Sequence, residues 1–81
     1  MIVLFADGVS QVFAELPQDV QRRAAHSIEL ISAFPRMYPV RRRGLMRGCH
    51  YFVAGRFLFY YSVAATEIRV TAIIPAAMRR A

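Results

Sequence analysis

The chain has 81 residues, room for one small domain, and its eleven basic residues against five acidic ones give a net charge of +6. A chain this short buries only about 60% of its unfolded surface, which leaves stability marginal without a partner. Hydrophobic residues make up 57% of it, above the usual ~45–50%, so part of the apolar surface is expected at an interface with another protein or a second copy.

Every basic residue is an arginine. The excess attracts polyanions, nucleic acid first, and acidic protein partners. Cys49 is the single cysteine, which rules out an internal disulfide or a cysteine-based zinc site and suits a reducing compartment. The first residues lack a basic region and their apolar run stops at Asp7, unlike a secretory signal. The longest uncharged apolar run, 57–65, is far below the roughly 18 residues of a membrane span. A cytoplasmic protein is expected.

In chain order, residues 2–6 form an apolar run that reads as a short buried strand. Asp7 is a candidate N-cap for the helix that follows, whose stripe is Val9, Val12, Phe13 and Leu16. Pro17 ends that helix and suits the first position of the next. There the stripe is Val20, Ala24, Ile28, Ile31 and Phe34, with Gln18, Arg22, Glu29 and Ser32 outside. Asp19 suits the first turn and can pair with Arg22 or Arg23. Phe34 and Pro35 stop the second helix. Residues 36–48 carry five arginines, one proline and two glycines and read as a connecting segment.

A strand is expected over 49–54 and a β-hairpin over 55–75, with its loop at Ala65 and Thr66. That loop sets Ala64 opposite Glu67. One face then collects Phe57, Phe59, Tyr61, Val63, Ile68, Val70, Ala72 and Ile74; the other collects Arg56, Leu58, Tyr60, Ser62, Arg69, Thr71 and Ile73. A one-residue slip would exchange the two sets. The first face is to be covered by the helices, and the mixed face is where a site is expected. Pro75 ends the last strand, and 76–81 is a short basic tail with Arg79 and Arg80. The order β-α-α-β-β-β describes an α+β domain with a helix hairpin on one face of a small antiparallel sheet.

Several phrases in this order resemble the RelE/ParE superfamily of toxins from type II toxin–antitoxin systems. A-E-L-P-Q-D-V-Q-R-R at 14–23 is similar to the family's L-P-x-x-V-x-x-x run, and I-S-A-F-P-R-M at 31–37 sits where the family ends its second helix. G-R-F-L-F-Y-Y-S-V at 55–63 resembles the core strand G-R-Y-L-I-F-Y-R-V of ParE-like members, and I-R-V-T-A-I-I-P-A-A-M-R at 68–79 parallels the final strand and its H-G-x-R-D-like ending. The resemblance implies the fold, a cognate antitoxin, and growth inhibition by one of two routes. Ribosome-dependent mRNA cleavage is the route expected, and non-catalytic poisoning of DNA gyrase is the alternative. The chain departs from the family at Pro75, where the terminal His falls, at Met78, where the following Arg falls, and at Leu58, where the RNA-cleaving branch carries a strand Arg. The lysines of that branch have no counterpart. A relative that has lost toxicity and serves as an interaction module is the third reading.

Metal-free RNA cleavage needs a base for the 2′-hydroxyl, cations for the charge on the phosphate and an acid for the leaving oxygen. Arginine supplies only the cation. Arg56 is the candidate substitute for the missing strand Arg, and His50 and Tyr60 are the candidate proton-transfer groups. These two share a face if the turn at 54–56 has three residues, whereas a two-residue turn places His50 with Phe59. The ordinary roles for them are a partly buried strand histidine and a packing aromatic. Arg41, Arg42, Arg43 and Arg47, with Arg56 and Arg69 beside them, are the candidate grip for a phosphate backbone or an acidic antitoxin tail. Arg79 and Arg80 are added from the resemblance. A solvated loop and a frayed terminus are the plain alternatives for these arginines. His26 reads as surface, and no metal constellation or phosphate-binding glycine loop is present. No cofactor is expected.

Overall fold

A computed structural model describes residues 1–76. The first strand, β1 (Ile2–Phe5), passes through a tight turn into α1 (Val9–Ala14), and α2 (Gln18–Ala33) returns across the sheet. Strands β2 (His50–Ala54), β3 (Phe57–Val63) and β4 (Glu67–Pro75) follow as a meander. The sheet order is β1-β4-β3-β2. β2, β3 and β4 are antiparallel, and β1 joins β4 in parallel. The fold is therefore the expected α+β order, with a mixed sheet in place of a purely antiparallel one. The two helices between β1 and the meander supply the long crossover that a parallel pair requires.

Both helices pack on one face. Val9, Leu16, Val20, Ala24 and Ile31 meet Phe52, Ala54, Phe59, Tyr61, Ile68 and Val70 in a single core, with Ile28 and Phe13 packed against it. The link between the helices is closed by a side chain: Gln21 Nε2 donates to the carbonyls of Phe13 and Ala14 at 2.9 and 3.1 Å. These are end carbonyls of α1, beyond the helix's regular ladder, and that of Phe13 also accepts the Leu16 N–H at 3.1 Å.

Several local expectations shift. Gly8, not Asp7, is the N-cap of α1, at φ 82°, and the turn closes through Val9 N–H to the Ala6 carbonyl at 3.0 Å. The left-handed conformation needed there favours glycine. Pro17 sits one position earlier than expected, as the N-cap of α2. Val12 and Phe34 are exposed; Phe34 is the C-cap of α2 and has left helical geometry, which turns it off the stripe. β1 is an edge strand whose Ile2 and Leu4 are exposed, while Val3 and Phe5 face the helices. Asp19 forms no ion pair; Arg69–Glu67 is the only salt bridge among the described residues.

The hairpin register starts as expected, with Ala64 N–H donating to Glu67 O at 2.8 Å and Tyr61 opposite Val70. It then changes. Tyr60 pairs with Ala72, so Thr71 is the extra residue of a β-bulge, and its hydroxyl donates to the Tyr60 carbonyl at 3.3 Å. A bulge exchanges the faces of everything beyond it. Ile73 consequently joins the core beside Phe59, and Ala72 and Ile74 move to the outer face with Tyr60 and Leu58, reversing the expected assignment of these three.

Candidate functional site

Ala54 pairs with Phe57, which leaves Gly55 and Arg56 as a two-residue turn. The turn decides the placement of the candidate proton-transfer groups. His50 lies opposite Tyr61 on the helix-covered face. Its ring stacks on that of Tyr61 with centroids 5.2 Å apart and planes at 17°. Its Nδ1 is 2.7 Å from the Tyr38 carbonyl oxygen. A carbonyl only accepts, so Nδ1 carries a hydrogen. Tyr60 points to the other face, only 4% exposed, with its ring 6.0 Å from that of Tyr51. A base and an acid on opposite faces of a sheet cannot serve one scissile bond. The structure does not bring His50 and Tyr60 together.

Arg56 was expected on the outer face with Leu58 and Tyr60. It sits instead in the turn, where strand alternation has ended. Its carbonyl accepts the Ala76 N–H at 2.7 Å, and it lines a groove with Asp19 and Arg23 at the start of α2. The neighbouring Gly55 has φ +61°, and a Cβ there would lie 2.8 Å from Val20 Cγ2. Glycine is thus required twice, by the turn and by the approach of the helix. Leu58, for which the sequence phrases suggested a missing strand arginine, is 1% exposed. It lies between Val53 of β2 and Ile74 of β4, a place with no water for a guanidinium.

The outer face therefore differs from the open mixed surface expected of it. Its centre is apolar and closed, and its charge lies off-centre. Arg69, opposite Ser62, is engaged by Glu67 at 2.6 Å. Arg79 and Arg80, like Met78, lie outside the described residues.

The arginine-rich connector is more ordered than a solvated loop. Tyr51 N–H donates to Pro39 O at 3.0 Å, Arg41 N–H to Cys49 O at 2.7 Å, and Gly48 N–H to Arg41 O at 2.9 Å. Val40 forms a β-bridge with His50. Residues 39–51 are thus a hairpin folded onto the start of β2. Within its loop, Arg47 N–H donates to Gly44 O and Cys49 N–H to Met46 O, and Gly44 and Gly48 take φ 84° and 92°. Arg41 Nε donates to the Arg43 carbonyl at 3.1 Å. Arg41, Arg42 and Arg43 line an open groove of about 440 Å³ with Pro39, Val40 and Tyr51. Among the described residues no carboxylate lines it.

The sequence reading missed Tyr38, Val40 and Tyr51, which orient His50 and frame this groove. The available signal was the pair Val40 and His50 on either side of a segment with two glycines, compatible with a hairpin but masked by its charge. Among the described residues no group of three or more metal-ligating side chains occurs, and no helix is long and apolar enough to cross a membrane. No protein-family model and no curated protein sequence matches the chain.

Proposed function

We propose that the chain is a growth-inhibiting toxin of a type II toxin–antitoxin pair, acting in the cytoplasm by binding its target rather than by cutting RNA. The target on this reading is DNA gyrase, as in the ParE-like branch. The family part of the reading rests on the quoted phrases. The strand-like phrase 55–63 coincides with the turn and central strand β3, and the phrase 14–23 with the junction of α1 and α2.

The observation that carries the mechanism is the separation of His50 and Tyr60 onto opposite faces, with a buried Leu58 in the strand. Without a base and an acid at one phosphate, arginines alone hold a polyanion and do not cleave it. A second reading, ribosome-dependent mRNA cleavage, is favoured by one observation. His50, its Nδ1 held by the Tyr38 carbonyl, lies on the strand end that carries the arginine hairpin.

Induction of the chain in a bacterium, with and without its neighbouring open reading frame, tests the proposal. Growth arrest that the neighbour relieves is the expected outcome. Normal growth under strong induction would replace the toxin reading by that of a non-toxic interaction module.

A further inference from the structure

β1 is the outermost strand at one end of the sheet. Ala6, just past it, donates its N–H to the Val70 carbonyl of β4 at 2.9 Å. Main-chain groups alternate between the two sides of a strand. Ile2 and Leu4 therefore bond β4 as well, and Val3 and Phe5 turn their N–H and C=O outward. Among the described residues no strand pairs with them there. The strand I-V-L-F carries no charge, proline or bulge, features that ordinarily protect an edge. Its outer-face side chains, Ile2 and Leu4, are 66% and 40% exposed. An open groove of about 680 Å³ beside it, lined in part by Ile2, Val3, Ile28 and Ser32, leaves room for a further strand.

Charge decides what covers this edge. Arg69, which pairs with Leu4 across the ladder, is engaged by Glu67. The arginine hairpin is attached to β2, at the far end of the sheet. The β1 edge is thus where a second copy of this +6 chain meets the least repulsion. We propose that two copies pair through β1, antiparallel about a twofold axis at Leu4, and join their sheets into one. Val3 exchanges both main-chain bonds with the partner's Phe5, and Phe5 with the partner's Val3. Leu4 faces the partner's Leu4 as the pair without main-chain bonds, its Cα ~4.5 Å away. Such a register is self-complementary, and it sends the two arginine hairpins to opposite ends of the joined sheet. The pairing needs only β1 and stands independently of growth inhibition.

The test uses the full chain, with mass followed by sedimentation and main-chain bonding by amide hydrogen exchange, each over a wide range of concentration. The proposal expects dimers at high concentration, with exchange at Val3 and Phe5 slowed as the dimer forms. The Leu4 amide, bonded to β4, should be protected at every concentration. Leu4→Lys sets like charges face to face and should weaken association at least tenfold, with the melting temperature of the dilute protein unchanged. Ile2→Lys, at the more exposed position, should act in the same direction. With Cys49→Ser to remove the native thiol, Leu4→Cys should oxidise to a cross-linked dimer and Ile2→Cys should not, since Ile2 lies opposite the partner's Ala6. A monomer at every concentration would overturn the proposal. So would a dimer in which exchange at Val3 and Phe5 is independent of concentration, or protection of Val3 that arises only when a different protein is added.

Discussion

Tyr61 donates its hydroxyl to the Pro35 carbonyl oxygen at 2.9 Å, tying the middle of the central strand to the chain that leaves α2. Burial pushes the Tyr61 phenol up to about 12. A raised phenol favours the protonated, folded form, so its contribution is fully present below about 10 and is lost as pH rises towards 12. Wild-type stability should therefore fall across that interval. Tyr61→Phe should cost about 1 kcal/mol at neutral pH, the net worth of one hydrogen bond, and should flatten the alkaline decline. Denaturant unfolding between pH 8 and 12 measures both; an unchanged alkaline slope in the variant would remove Tyr61 as the cause.

The contact of Gly55 with Val20 gives a second expectation. Gly55→Ala must force a side chain into a left-handed turn and against Val20 Cγ2, and should cost more than about 1 kcal/mol. Truncating the helix side as well, Val20→Ala, should recover part of that loss, so the two substitutions together cost less than their sum. Strict additivity of the unfolding energies would show that only the turn conformation matters.

Leu58 tests whether this strand position tolerates an arginine. Its side chain is enclosed on the outer face, and a guanidinium there would be buried without a partner. Leu58→Arg should destabilise by several kcal/mol, whereas Leu58→Met should cost less than about 1.5 kcal/mol. Comparable melting temperatures for the two variants would mean that the face opens to solvent.

The fold was legible where periodicity and punctuation agree. The stripe Val20, Ala24, Ile28 and Ile31 located α2, and Ala65-Thr66 located the β3–β4 loop. The exchange of Ala72, Ile73 and Ile74 was not legible, because Thr71 is an ordinary strand residue and nothing in its chemistry announces a bulge. For the site, residue types were readable and their faces were not. Whether His50 meets Tyr60 or Tyr61 depends on a one-residue difference in the turn at Gly55, and the sequence admits both lengths. The arginine hairpin was hidden for a different reason. Its order comes from main-chain bonds between 39–41 and 48–51, which leave no hydrophobic pattern to read.

The central claim, inhibition by binding without RNA cleavage, is tested most directly in cells induced for the chain or for His50→Gln. Gln keeps an amide donor for the Tyr38 carbonyl and removes the imidazole base. Plasmid supercoiling and the 5′ ends of mRNA are read from the same cultures. The account predicts arrest by both proteins, disturbed supercoiling and intact messages. Cut messages with normal supercoiling, abolished in His50→Gln, would contradict it and establish His50 as the base of a ribonuclease.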